Sequence, residues 1–281
     1  MPIYDQGYRP YEARRPLRTL RFWPITREAL RLLLARRAYL GLLIVSWLPL
    51  VARAIHLFAV TRFAEAQRVL PFDERTFGDF LNQQIGFALI ITIFGGAGLI
   101  ANDLRTGAIL VYLSRPLTRR DYVLGKLGVL LALNLSVTLA PALLLYSIAL
   151  SLASEEFLKL KLAWIAPAIV VQSIVVSLVL SLVALAISSL SKNARVAGLA
   201  FVGLLVGLEV AHGVLRGIYH RPESALLSLQ ADLRAIGGAL FGNTEHWLRF
   251  PWPYAALVLI AVAIACLATL RARVRAVEIV R

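Results

Sequence analysis

The chain has 281 residues, 59% of them hydrophobic and only 16% charged, with a mean hydropathy of +0.74. Soluble domains run at about 45–50% apolar and about 25% charged, so these numbers exclude a water-soluble enzyme. A net charge of +14 would suggest nucleic acid in a soluble protein, but in so apolar a chain it reads first as a signal of membrane orientation, and no nucleic-acid partner is expected.

The first 37 residues are mostly polar and basic and lack the pattern of a cleavable signal, so the first apolar run is expected to act as an uncleaved anchor. Within them, Ile25–Arg37 places Leu30, Leu33 and Leu34 at helical spacing, with Arg27, Arg31 and Arg36 on other faces. That pattern predicts an amphipathic helix in the inner membrane interface. Six apolar stretches of spanning length follow, at Tyr39–Val60, Leu81–Ala101, Leu127–Leu152, Trp164–Leu190, Val196–Leu215 and Pro253–Leu270. Of the 30 Lys and Arg residues, 20 fall in the N-terminal segment, the Asn102–Lys126 loop, the Ser191–Arg195 loop and the tail after Leu270. The alternate segments hold 9, and Arg53 lies inside the first span. The positive-inside rule then places both termini in the cytoplasm of a cell with this chain in its inner membrane. No repeat or linker divides the sequence, so residues 1–281 read as one membrane domain. It comprises a cytoplasmic segment 1–37, six spans over 39–270 and a cytoplasmic tail 271–281.

The loop between the second and third spans is the most informative stretch. About 25 residues are too many for a plain connection, which needs about 2–8. Ala108, Ile109, Tyr112 and Leu113 share one face of a short helix. Ser114-Arg115-Pro116 is expected to end that helix, because proline removes a donor and restricts the residue before it. Thr118-x-x-Asp121 has the form of a capping box opening the next helix, which carries Arg119, Arg120 and Lys126. Gly125-Lys126 is a near miss for a phosphate-binding loop, since Leu127 stands where a Ser or Thr would hold magnesium. There is no HExxH pair and no GxSxG elbow. The four histidines are scattered and Cys266 is the single cysteine, so no intrachain disulfide or cysteine metal cluster is expected. Any use of ATP must come from another subunit.

The run Gly98-Leu-Ile-Ala-Asn-Asp-Leu-Arg105, followed by Tyr112-Leu-Ser-Arg-Pro-Leu-Thr-Arg-Arg-Asp-Tyr-Val-Leu-Gly-Lys126, resembles the permease subunits of ABC-2 type transporters. The six-span layout, the helix before the first span and the basic tail agree with it. The resemblance implies an all-α membrane protein with six transmembrane helices, an N-terminal elbow helix and a coupling helix between spans two and three. It also implies a separate ATP-binding cassette ATPase, in two copies, docked on the 102–121 loop, and a second permease copy forming a homodimer or a pair with a close paralogue. ATP and magnesium would sit in the ATPase, with no cofactor in this chain. Asp103, Arg105, Tyr112, Arg115, Pro116, Arg119 and Arg120 would transmit nucleotide state. Arg115 and Arg119 would pair with acidic groups of the ATPase, and Tyr112 would fill a pocket.

Two ionisable residues stand inside spans, Arg53 and Glu209. A charge at the bilayer centre costs about 2.5–3.5 kcal/mol on insertion scales, so such residues usually pair or face a cavity. At about 1.5 Å per residue they lie about 21 Å and about 20 Å from the cytoplasmic starts of their helices. An Arg53–Glu209 pair is therefore geometrically possible, with His56 and His212 one turn further on able to extend the network; the alternative is that Arg53 snorkels to the outer headgroups and Glu209 stays protonated. Gly203-xxx-Gly207 and Gly213-xxx-Gly217 form a small-xxx-small face suited to dimer packing, and Phe94-Gly-Gly-Ala-Gly98 marks a close-packing or flexing point. Between spans five and six, Ser224 is expected to cap an outer-leaflet helix with an apolar stripe of Leu226, Leu229, Leu233, Ile236 and Leu240. Trp247, Trp252 and Tyr254 fit an aromatic belt. The reading is an ATP-driven permease exporting a hydrophobic or amphiphilic cargo. The alternative is an ion-coupled secondary transporter using Glu209 and His212, which the absence of an inverted repeat disfavours.

Overall fold

The structure, a computed structural model, describes residues 21–63, 75–113, 117–152, 163–220, 222–242 and 251–274. All regular elements among them are helical. This is what lipid demands of long apolar runs, because backbone donors and acceptors there must be satisfied within the segment or in a closed barrel. Six helical spans reach crossing length: Arg37–Arg62, Arg75–Thr106, Arg119–Leu152, Ile165–Leu190, Ala194–Tyr219 and Trp252–Arg273. The chain is an all-α, multi-pass membrane protein. The second and third spans begin earlier than hydropathy places them, at Arg75 and Arg119, because their first turns carry polar residues that score poorly yet continue the helix.

Three spans are interrupted. After α1 (Trp23–Leu34), the first span divides at Trp47 into α2 (Arg37–Ser46) and α3 (Leu48–Arg62), whose first turn holds Pro49. The second runs as α4 (Arg75–Gly96), leaves helical geometry over Ala97–Ile100 and resumes as α5 (Ala101–Thr106). Gly107, at φ 71°, turns the chain into α6 (Ala108–Leu113); a side chain in that left-handed region would be strained. The third span is α7 (Arg119–Val137) and α8 (Leu139–Leu152). At the join Pro141 has no N–H for the Val137 carbonyl, and the Thr138 hydroxyl donates to the Asn134 carbonyl at 2.9 Å. The fourth and fifth spans, α9 (Ile165–Leu190) and α10 (Ala194–Tyr219), are unbroken. A 3-10 turn at Pro222–Leu227 leads to α11 (Leu229–Leu240), and α12 (Trp252–Arg273) is the last span.

The core forms around α9, which packs on α4, α7 and α12. Ile91, Val129, Leu130, Leu180 and Leu185 are fully or almost fully enclosed there. A second cluster, with Phe77, Phe80, Leu145, Ile169 and Phe241, fills the end of the bundle away from α1. Gly96 is required for the approach of α4 to α9, since a Cβ on it would come within 2.9 Å of the Ala184 Cβ. A polar layer crosses the same contact. Asn134 Nδ2 donates to Thr92 Oγ1 at 2.9 Å and to Ser181 Oγ at 3.4 Å, and Thr92 Oγ1 donates to Asn134 Oδ1 at 3.0 Å. Between membrane helices, where apolar contact gives no advantage over lipid, such bonds specify the neighbours.

The helix between the fifth and sixth spans departs from expectation in its start. Ser228, not Ser224, is the cap, its hydroxyl accepting from the Ala231 N–H at 3.1 Å. Ser224 and Leu226 fall in the preceding 3-10 turn. The chain winds as a 3-10 turn for six residues before the α-helix begins. The turn runs back along α10, and α11 then packs against α12, α9 and α4. Leu229, Leu233 and Gly237 are buried within these contacts. Phe241, just beyond α11, reaches the outer cluster beside Gly78 and Trp164.

Candidate functional site

The loop between spans two and three is built from α5, α6 and the start of α7, tied together by one buried cluster. Lys126 Nζ lies 2.7 Å from Asp103 Oδ2, with side-chain exposures of 6% and 16%. The Tyr122 hydroxyl donates to the same oxygen at 2.8 Å. The ammonium also stands 5.9 Å from the centre of the Tyr112 ring and 5.6 Å from that of Tyr122, and the two rings are 5.6 Å apart. Asp103 comes from α5, Tyr112 from α6, and Tyr122 and Lys126 from α7, so a single cation closes three helices on one another. Breaking a buried pair by removing one partner typically costs about 3–5 kcal/mol, because the other charge is left enclosed. The cluster therefore makes the loop a rigid attachment of the third span.

Local sequence explains each placement. Thr118 accepts from the Asp121 N–H at 3.2 Å, and the Asp121 carboxylate accepts from the Thr118 N–H at 3.0 Å. The capping box thus starts α7 where the spacing predicts. From Arg119, Tyr122 and Lys126 then fall one turn apart on the side facing α5. Gly125 and Gly128 lie on α7 where α1 crosses. A Cβ on Gly125 would meet the Ile25 Cβ at 2.9 Å, and one on Gly128 would meet Thr26 Oγ1 at 3.0 Å. Thr26 Oγ1 donates to the Gly125 carbonyl at 2.9 Å. The Gly125-Lys126 pair that looks like a remnant of a phosphate loop thus serves helix contact and ion pairing. On α1, Ile25, Thr26 and Leu33 are buried, whereas Trp23, Arg27, Arg31 and Leu32 are exposed.

Among the sequence-selected loop residues, Asp103 and Tyr112 meet in the cluster. Arg105, Arg119 and Arg120 are exposed around it on the same end of the bundle. Arg115 and Pro116 lie outside the described residues, as does Trp247 of the aromatic belt. Trp252 and Tyr254 are exposed at the start of α12. Tyr122 and Lys126 were not among the residues selected. A sequence signal for Lys126 exists: a lone lysine at the very edge of an apolar run, seven residues past the start of a helix opened by the Thr118 capping box, requires a counter-charge, and Asp103 is the acid that supplies it across the loop.

The Arg53–Glu209 pair that equal depth would allow is not formed. Arg53 is on α3, which packs on α8, α4 and α2, whereas α10 packs on α9, α4, the 3-10 turn and α11, so the second span stands between them. Equal depth fixes height along the membrane normal but not position around the bundle. Glu209 instead accepts from the Ser228 hydroxyl, at the N-terminus of α11, where the helix dipole favours a negative charge. At about 1.5 Å per residue this contact lies about 15 Å below Tyr219, so the hairpin re-enters the bundle. His212, one turn beyond Glu209, is buried on the covered side of α10 with its Nδ1 unpartnered. His56 lies on α3 and does not join it. Asp232, one turn into α11, is 2% exposed, and burial pushes its carboxyl up to about 7. On α10, a Cβ added at Gly203, Gly207, Gly213 or Gly217 would meet nothing within 4 Å.

Among the described residues no group of His, Cys, Asp and Glu could hold a metal ion. No curated protein matches this chain significantly. The family model for ABC-2 family transporter protein matches residues 42–225, well over half of the 281 residues, and takes in five of the six spans with the loop and its buried cluster. A basic, rigidly fastened loop beneath a six-span bundle and this match agree: the chain belongs to the ABC-2 family of transporter proteins and is a membrane permease of an ABC transporter.

Proposed function

We propose that this permease exports a hydrophobic or amphiphilic cargo across the cytoplasmic membrane, driven by a separate ATPase subunit that docks on α5, α6 and the start of α7. The observation that carries this reading is the Asp103–Lys126–Tyr122–Tyr112 cluster beneath exposed Arg105, Arg119 and Arg120. The arginines offer a cationic face to acidic groups of the ATPase. The cluster turns a push on that face into tilting of the third span, because a loop joined at three helices cannot yield by itself. In this reading both termini and the basic end are cytoplasmic, in keeping with the Lys and Arg distribution. Two copies of the permease, or this chain and a close paralogue, flank the cargo path with two ATPases. ATP and magnesium reside in the ATPase, this chain holds no cofactor, and residues 1–281 act as one transmembrane domain. The glycine face of α10, open in the single chain, suits the contact between copies. The alternative, an ion-coupled secondary transporter, would use Glu209, whose carboxyl accepts from the Ser228 hydroxyl, and His212.

Reconstitution with the ATPase tests this reading in two steps. Arg119→Glu with Arg120→Glu is expected to abolish co-purification of the ATPase. Lys126→Ala is expected to retain the ATPase but lower stimulated hydrolysis by about tenfold or more, because the Asp103 carboxylate is left without its counter-charge. Full stimulation by Lys126→Ala would refute the cluster as the transmitting element, and a charge-reversed loop that still holds the ATPase would refute the docking face.

A further inference from the structure

The second span leaves helical geometry just before α5, and the repair comes from another span. Over Ala97–Ile100 the regular ladder is incomplete. The Gly96 carbonyl is taken by the Leu99 N–H at 3.1 Å, so the Ile100 N–H loses its usual acceptor. The Ala101 N–H no longer reaches the Ala97 carbonyl. Ser188 of α9 fills the gap. Its Oγ accepts from the Ile100 N–H at 3.1 Å and from the Ala101 N–H at 3.0 Å, and its own hydrogen is donated to the Ala97 carbonyl at 2.8 Å. The hydroxyl is thus inserted into one rung of the ladder, between the donor and acceptor that would have bonded directly. Ser188 is fully buried. A side chain inserted in this way is a recognised cause of a sharp kink, and in lipid it is also what makes the kink tolerable.

The surroundings fix this point and tie the segment that follows it to the third span. On one side, Gly96 brings α4 against Ala184, one turn before Ser188 on α9. On the other side begin α5 and α6, which carry Asp103 and Tyr112 into the cluster on α7. We propose that Ser188 is the positioning residue of the permease stroke, the pivot about which α5 and α6 turn relative to α4. This rests on the reading that an ATPase pushes on that loop. A hydroxyl suits the task because it rotates about one bond and can keep two donors and one acceptor satisfied while the angle between the half-helices changes. An intact backbone rung would hold one angle.

The experiment uses the full permease–ATPase complex in proteoliposomes, in a Cys266→Ser background, with spin labels on Thr106→Cys and Arg195→Cys. Both sites are exposed, one on the swinging segment and one on α10. The inter-label distance distribution is expected to shift between nucleotide-free and ATP-trapped complexes. Ser188→Ala should abolish the shift and cut ATP hydrolysis by about tenfold or more, the scale of leaving buried backbone groups unpaired. Ser188→Thr, which keeps the hydroxyl, should restore both. Amide exchange on the unlabelled complex gives a readout independent of any variant's folding, with Ile100 and Ala101 protected in both nucleotide states. A normal shift and normal hydrolysis in Ser188→Ala, failure of Ser188→Thr to rescue a folded complex, or exposure of those amides on ATP binding would each overturn the pivot. A wild-type chain that neither retains nor stimulates the ATPase would overturn the permease reading itself, a result visible before any substitution is made.

Discussion

The fourth and fifth spans are the same length, 26 residues, and both score as membrane helices, yet α9 has 72% of its most apolar window buried in the chain and α10 only 11%. Mean hydropathy orders them correctly, 2.6 against 1.9, but does not explain the difference. What separates them is where the polar and small residues stand. Gln172, Ser173, Ser177, Ser181, Ser188 and Ser189 of α9 are all buried; Gln172 donates to the Leu233 carbonyl of α11, Ser181 accepts from Asn134 of α7, and Ser188 bonds the backbone that follows α4. On α10, Gly203, Gly207, Gly213 and Gly217 face open space, and Leu199, Val206, Val210 and Val214 are exposed. In water an apolar face seeks the core. In lipid an apolar face is already at home, and the helix with hydroxyls and amides to satisfy is the one drawn to the centre. The glycine face of α10 is the exception, a surface of small residues that meets no partner among the described residues.

The comparison breaks most readily at Gly96. Gly96→Val would drive side-chain atoms into Ala184 and Leu130. Overpacking of this kind costs about 1–3 kcal/mol or more, so a marked drop in melting temperature in detergent is expected, together with loss of complex assembly. The reciprocal change on the open helix, Gly207→Val with Gly213→Val, should leave the stability of the single chain within about 0.5 kcal/mol of wild type. It should nonetheless shift the purified protein from dimer to monomer in a mass measurement. Equal damage from both would erase the contrast between a helix bound inward and one bound outward. The smallest effect concerns Asp232. A carboxyl raised to about 7 by burial stabilises the seated α11 fully only at low pH, and that contribution is lost as pH rises towards about 7. Asp232→Asn should remove this part of the slope of thermal stability between about pH 4 and pH 7, and an unchanged slope would show that the carboxyl does not titrate in this window.

Much of the architecture could be read from the sequence because it depends on local properties. The six spans follow from apolar length, and the capping box at Thr118 and Asp121 from a four-residue pattern. The glycine run Phe94–Gly98 marks a flexing point, and the helix breaks in the structure immediately after Gly96. The remainder depends on which way each helix faces. Arg53 and Glu209 share a depth but are separated by the second span. Ser188 serves a backbone almost 90 positions away, a relation no periodicity reveals. Lys126 could have been found by asking what neutralises a lysine inside an apolar helix. The start of α11 was misplaced by one turn because two serines, at 224 and 228, both precede the apolar stripe. The winding of the chain between them depends on the neighbouring α10.

The notches at Gly125 and Gly128 bear on more than packing. Ile25 and Thr26 occupy them so closely that the N-terminal helix cannot slide along the third span without a methyl-sized collision. Whatever tilts that span drags α1 with it, and with α1 its exposed Trp23 and Leu32. If the proposed stroke tilts the third span, α1 would carry these exposed apolar side chains along, and bilayer composition at that surface would become a load on the machine as well as its setting.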